Sequence, residues 1–330
     1  MLKNTAAFLT ENMEKNVDKL ENMMHSCALC PRQCGVDRVA GERGFCGAAG
    51  ELSVARAALH FWEEPCLSGT EGAGTVFFTG CNLRCVFCQN YEIAGGAHGA
   101  CVSVERLAEI FLELQEKGAN NIDLVTPTHE VASIASALVM AKERGLSIPV
   151  VYNCGGYESV ETLKLLEGLV DIWMPDMKYA DPALAAELSR AADYFPVACD
   201  ALAEMVRQQP ETVFDERGIM KKGVLVRHLV LPGHVKNSKA VLSYLWETCG
   251  DRIWLSLMSQ YTPLRKFPEH PELERSVTKR EYEKVVDFAL ELGFSKVYIQ
   301  EGGVDKESFI PAFDLEGVLK PDLMQENCKG

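Results

Sequence analysis

The chain has 330 residues, 47% of them hydrophobic and 24% charged, with a formal net charge of −14. That balance describes a globular protein with a sizeable core and argues against a large footprint on nucleic acid or an anionic membrane, both of which call for a basic face. The opening MLKNTAAFLTENMEKN lacks a basic segment followed by an apolar core and a cleavage site, and no apolar run approaches bilayer length, so the chain reads as cytoplasmic with no membrane partner.

Taken in chain order, the first 70 residues show no regular alternation of strand and helix and read as an N-terminal extension. From residue 71 onward, short apolar runs that read as buried parallel strands fall at 75–79, 122–126, 148–153, 172–175, 224–231, 253–258 and 296–300. Helical patterns lie at 104–117, 131–143, 159–167, 182–190, 197–208, 238–247 and 279–292. Strand followed by helix, repeated, is the pattern of a parallel sheet wrapped by helices. No G-x-G-x-x-G follows the first run, so a β/α barrel, full or partial, fits better than a doubly wound sheet. The expected fold is therefore α/β: a partial (β/α)6-type TIM barrel over 71–305, a cysteine-rich extension over 1–70 and a tail over 306–330.

In such a barrel, function sits at the carboxyl ends of the strands. The unusual sequences fall there: GCNLRC, TPTHE, NCGGY, PDMKY, LPGH and SQYTP after successive strands. Thirteen cysteines are many for a reducing compartment, which points to metal or redox chemistry rather than disulfides. Cys66, Cys101, Cys154, Cys199, Cys249 and Cys328 are scattered and read as small buried hydrophobes or idle thiols. The other seven form two groups.

The first group is Cys81, Cys85 and Cys88 in GCNLRCVFCQN, a C-x3-C-x2-C that matches neither a zinc finger nor a thioredoxin pair. Thiolates suit iron–sulfur clusters and zinc, and three of them on a four-cornered 4Fe-4S cubane leave one corner open, as a catalytic rather than a structural centre requires. A structural cysteine knot or zinc site is the plainer alternative. The second group, Cys27, Cys30, Cys34 and Cys46, supplies four thiolates, enough for a closed zinc site or a second 4Fe-4S cluster, with metal-free packing thiols as the remaining reading.

GCNLRCVFCQN resembles the cluster-binding loop of the radical S-adenosylmethionine (SAM) superfamily, specifically its pyruvate formate-lyase activating-enzyme branch. Over roughly 27–303 the chain is similar to an activating-enzyme-like group with CxLCPRxC ahead of EPCxSG and GCNLRCxFCQN, here CALCPRQC, EPCLSG and GCNLRCVFCQN. The resemblance implies that Cys81, Cys85 and Cys88 hold a 4Fe-4S cluster whose free iron chelates SAM, with Phe87 near the adenine and Asn90 in the same pocket. Reduced cluster would cleave SAM to a 5′-deoxyadenosyl radical that takes hydrogen from substrate, with the cofactors carrying the hard step.

Thr126, Thr128 and His129 of TPTHE stand where many members have a glycine-rich turn contacting the SAM amino group. Asn153 resembles a strand-end position lining that pocket, and Asp176 and Lys178 resemble the D-x-K of activating enzymes, with Lys178 suited to the methionine carboxylate. Arg227, a charge inside an apolar strand, is expected to point into the barrel and to need a partner, while His228 faces the helices. His234 reads as a plain loop histidine near the mouth, and Gln260 and Tyr261 as further candidates there. No general acid or base is assigned. The implied partners are SAM, a flavodoxin or ferredoxin as electron donor and a glycyl radical enzyme. A small molecule or peptide substrate, a non-enzymatic iron–sulfur electron carrier and a zinc-stabilised scaffold are the alternatives.

Overall fold

The computed structural model describes residues 2–96, 98–300 and 311–320, with the side chains of the first helix described from residue 12. In chain order the elements are α1 (Leu2–Asn22), β1 (Leu52–His60), α2 (Pro65–Ser68), β2 (Ala73–Phe78), α3 (Tyr91–Ala94), β3 (Ala100–Val102), α4 (Val104–Glu116), β4 (Ile122–Val125), α5 (Val131–Glu143) and β5 (Val150–Cys154). There follow α6 (Val160–Leu165), β6 (Ile172–Pro175), α7 (Pro182–Ser189), α8 (Tyr194–Gln208), β7 (Val213–Phe214), β8 (Met220–Leu229), α9 (Val235–Thr248), β9 (Trp254–Met258), α10 (Lys279–Leu292) and β10 (Val297–Ile299).

The main sheet runs β10-β9-β8-β6-β5-β4-β2-β1-β3, with β7 paired to β8. Neighbours from β2 to β10 are parallel, and the sheet curls as a barrel that does not close, because β10 and β3 are its edges. The parallel strands β2, β4, β5 and β6 are buried at every residue. That is the physical reason they appear in the sequence as continuous apolar runs rather than alternating ones. Several helices start on side chains that capture orphan amides: Ser103 accepts from Arg106, Asp181 accepts from Ala183 ahead of Pro182, and Thr278 with Glu281 forms a capping box on α10.

The extension is built into this body. β1, on the N-terminal side of the expected boundary at residue 70, pairs antiparallel with β2 over Val54–His60 and also with β3. Helix α1 lies against α5 and α6, and Ser136 donates to Glu21 at 3.1 Å. Arg38 is 1% exposed; its guanidinium donates to the carbonyls of Ala49 and His129 and reaches Glu130 at 3.4 Å, pinning the cysteine-rich segment to the barrel.

Short α2 plugs the lower end of the barrel. Cys66 and Leu67 pack with Val151, Ile172, Met174 and Leu225, and Asn120 and Asn121, ahead of β4, donate to the carbonyls of Ser68 and Leu67. Glu63 and Glu64, just ahead of α2, are therefore half-buried at the lower end of the barrel. The last part of the expected tail, with Cys328, lies outside the described residues. Among the described residues, no helix is long and apolar enough to cross a membrane.

Candidate active site

The loop after β2 is shaped by two residues with positive φ, Gly80 at +97° and Arg84 at +51°. A Cβ at Gly80 would stand 2.8 Å from the Cys46 carbonyl, so close approach as well as φ demands glycine there. The loop brings Cys81, Cys85 and Cys88 to one wall of a cavity at the carboxyl ends of the strands. Ser189 donates to Cys85 Sγ at 2.9 Å and the Leu83 amide to Cys81 Sγ at 3.4 Å. Burial pushes the Cys81 thiol up and the Cys88 thiol to about 12, with the neighbouring thiols adding to both. Thiols raised in this way ionise together only against a compensating positive charge, which the iron of a cluster would supply. The donor set fits a cluster bound on one side and open on the other.

Facing the thiols are the ends of β5, β6 and β8. Asn153, Asp176, Lys178 and Arg227 line the same cavity, as do Phe87, Asn90 and Thr126. Asp176 receives Arg227 Nε at 3.0 Å and Lys178 Nζ at 2.5 Å, and Arg227 Nη2 donates to Asn153 Oδ1 at 2.6 Å. Burial disfavours every charge in this group, but the mutual attraction outweighs it. Asp176 is held below the usual carboxylate range and Lys178 and Arg227 are held above their own. Asn90 Oδ1 is buried without a hydrogen-bond partner, the kind of atom a ligand satisfies. The residues present thus fit a polar, zwitterionic ligand beside the thiols.

Thr128 and His129 are not brought to the cavity. They lie in the turn into α5 and are 0% and 2% exposed. Thr128 donates to Glu158 at 2.7 Å. His129 stands 2.6 Å from the Thr79 carbonyl through Nε2 and is pushed down to about 4 by burial, so it is a neutral donor. Of the TPTHE group only Thr126, at φ +59°, reaches the cavity wall. His228 points away from the cavity and bonds the Met177 carbonyl at 2.6 Å. His234 pairs with Glu272 at 3.5 Å. Gln260 and Tyr261 do line the cavity, Tyr261 set edge-on to Phe87 with centroids 6.3 Å apart.

Two lining residues come from below and went unassigned from sequence: His60 at the end of β1 and Glu63 just beyond it. Glu63 reaches Arg227 Nη1 at 3.5 Å. The available signal was the Glu63–Glu64 pair leading into PCLSG just beyond β1.

The N-terminal cysteines gather beside this site. Cys27, Cys30 and Cys46 are buried and Cys34 exposed. Burial raises the thiols of Cys27, Cys46 and, to about 12, Cys30, with neighbouring thiols of the group contributing. The Cys81 amide donates to the Cys46 carbonyl at 3.2 Å, which joins the two loops. Among the described residues no three His, Cys, Asp or Glu side chains stand as close as a single metal ion would hold them.

The unclosed parallel β/α barrel thus sets a three-thiol loop after its first parallel strand against a polar cradle opposite. Residues 75–233 match the model of the Radical SAM superfamily. A match to that superfamily implies a 4Fe-4S cluster and SAM. The chain is similar to two proteins of Methanocaldococcus jannaschii, the uncharacterized proteins MJ0674 and MJ0808. It is 28% identical to the first over 296 residues, covering 87% of this chain and 80% of that one. To the second it is 25% identical over 303 residues, covering 86% and 83%. Among solved structures, methylornithine synthase (PylB) aligns with 16% identity and a TM-score of 0.46 over 73% of this chain and 69% of that one.

Proposed function

We propose that the protein is a radical SAM enzyme whose cluster is held by Cys81, Cys85 and Cys88 and whose SAM lies against Asn90, Thr126, Asn153, Asp176, Lys178 and Arg227. The single observation carrying this reading is that three half-buried thiols and the Asp176–Lys178–Arg227 cradle line one cavity. Bound there, cluster and SAM supply one-electron reductive cleavage and a hydrogen-abstracting radical. The chain's own residues do the rest. Lys178 and Arg227 are locked by Asp176 and present fixed positive charge to a carboxylate. Phe87 and Tyr261 give an aromatic wall for a flat ring. Leu83 and Met258 help keep water from the reacting region.

A flavodoxin or ferredoxin is the proposed electron donor. The substrate reading extends either to the glycine-bearing loop of a glycyl radical enzyme or to a small molecule or peptide, and the charged groups beneath the cavity favour the second. An electron carrier without substrate would need no such cradle. The four-cysteine loop is read as a further metal or cluster site, on the support of its convergence beside the first.

The test is spectroscopic. After anaerobic reconstitution, addition of SAM to the reduced protein should change the cluster's electron paramagnetic resonance signal, and Cys81→Ala/Cys85→Ala/Cys88→Ala should hold no such cluster. A wild-type signal indifferent to SAM removes the proposal.

A further inference from the structure

The cavity continues downward and sideways into a second chamber, of about 270 Å³ beside about 190 Å³ in the first. His60, Glu63, Gln89, Arg227, Met258 and Gln260 line both. The second chamber lies in the lateral opening of the barrel, between the chain leaving β1 and the end of β10, with Trp62 and Tyr298 on its walls. Together the two spaces fall within the roughly 300–1,000 Å³ of a typical ligand pocket.

Charge in this region does not balance. Four carboxyl groups, Asp176, Glu63, Glu64 and Asp123, act on Arg227, and Lys178 is the other cation in the group. Asp176 is satisfied by those two cations. Glu63 is left with one 3.5 Å contact to Arg227 and with Glu64 and Asp123 as its carboxyl neighbours. Asp123 is 0% exposed and shares a face of β4 with cavity-lining Val125. Its Oδ2 receives Asn153 at a long 3.4 Å, and its Oδ1 receives no N–H or hydroxyl, with the Glu63 carboxyl as the neighbouring acid. An unpaired carboxylate oxygen at that depth is costly unless a proton or a cation meets it. Burial raises all three carboxyls, Glu64 to about 7, so protons hold the place when nothing else does.

We infer that Glu63, Glu64 and Asp123 form the recognition site for a positively charged group of the substrate, an alkylammonium, held in the chamber beside SAM with Trp62 and Tyr298 flanking its chain. The inference rests on the proposed radical SAM reading for its purpose, and it has a binding readout of its own. A cation entering replaces the shared protons in neutralising the carboxyls, so binding near neutral pH releases protons. Aromatic faces add to the attraction of the cation.

The test is calorimetric titration of the full, anaerobically reconstituted chain with 1,4-diaminobutane, compared with n-butanol and butyrate, in two buffers of different ionisation enthalpy. One saturable site for the diamine alone, with proton release, is expected. Glu63→Gln and Asp123→Asn should each weaken it by about tenfold or more. Binding unchanged in both variants would mean the acidic surface takes the diamine and would overturn the inference, as would binding without proton release in the wild type. Should a variant fail to fold by circular dichroism, the proton-release measurement decides. If saturating SAM displaces the diamine, the carboxyls serve the sulfonium of SAM and the inference is wrong. A protein that cleaves SAM but ignores the diamine loses this inference and keeps its proposed function; one that binds the diamine and never SAM loses the function.

Discussion

Arg227 Nε stands 3.0 Å from Asp176 Oδ1, and that contact couples the strand β8 to the end of β6 at the point where the cavity floor meets its wall. Asp176 also receives Lys178, so one carboxylate orders two cations in a buried setting. Removing its charge leaves Lys178 without its carboxylate and Arg227 with the longer 3.5 Å contact to Glu63. Asp176→Asn is therefore expected to destabilise the protein by about 3–5 kcal/mol, read by urea unfolding at neutral pH. Because the folded carboxyl is held below the ordinary range, its contribution is complete above that range and is lost only as pH falls through the depressed value. An unchanged acid limb in the variant would contradict this.

The deep carboxyl of Glu158 has the opposite sign. Burial raises it to about 8, so at neutral pH the folded state keeps a proton that the unfolded chain releases. Its stabilising share is present below the ordinary carboxylate range of about 4.3 and declines as pH rises toward 8. Glu158→Gln keeps a neutral group for Thr128 and Tyr152 and is expected to flatten the fall in stability between pH 5 and 8 by roughly a few kcal/mol. Denaturant midpoints at the two pH values measure it, and equal slopes in both proteins would refute it.

The architecture was open to sequence reading where the physics is local. Buried parallel strands announce themselves as apolar runs, and the expected 172–175 strand is the observed β6. The inward direction of Arg227 followed from the cost of an unpaired charge in a strand. What escaped was non-local. β1 carries an alternation too weak to distinguish from loop, because its partner β2 lies beyond α2 and the turn that follows it. Thr128 and His129 look like ligand groups in TPTHE, but tertiary packing turns both into structural hydrogen bonds. Glu63 and Glu64 drew no assignment from sequence, because their place depends on α2 plugging the barrel beside them.

Ser189 sits between two functions, donating to Cys85 Sγ at 2.9 Å and sharing a 2.6 Å hydrogen bond with Tyr179. Hydrogen bonds to cluster sulfurs raise the reduction potential. Ser189→Ala is expected to cost about 1 kcal/mol of stability and to move the cluster midpoint to more negative potential. Anaerobic voltammetry reads the second effect, and a purely structural role for the serine would leave the midpoint where it is.

The four-cysteine loop carries its own expectation. Cys27→Ser/Cys46→Ser should lower the metal content of the reconstituted protein while leaving the iron bound through Cys81, Cys85 and Cys88. Elemental analysis for iron and zinc together with acid-labile sulfide distinguishes a zinc site from a second cluster. Equal metal content in variant and wild type would show that these thiols only pack.

The most direct measurement is 5′-deoxyadenosine formed from SAM by the reconstituted, dithionite-reduced protein, with Cys81→Ala/Cys85→Ala/Cys88→Ala as the comparison. The account expects product from the wild type that requires reductant and is absent from the triple variant. A reducible cluster in the wild type that leaves SAM intact would contradict it.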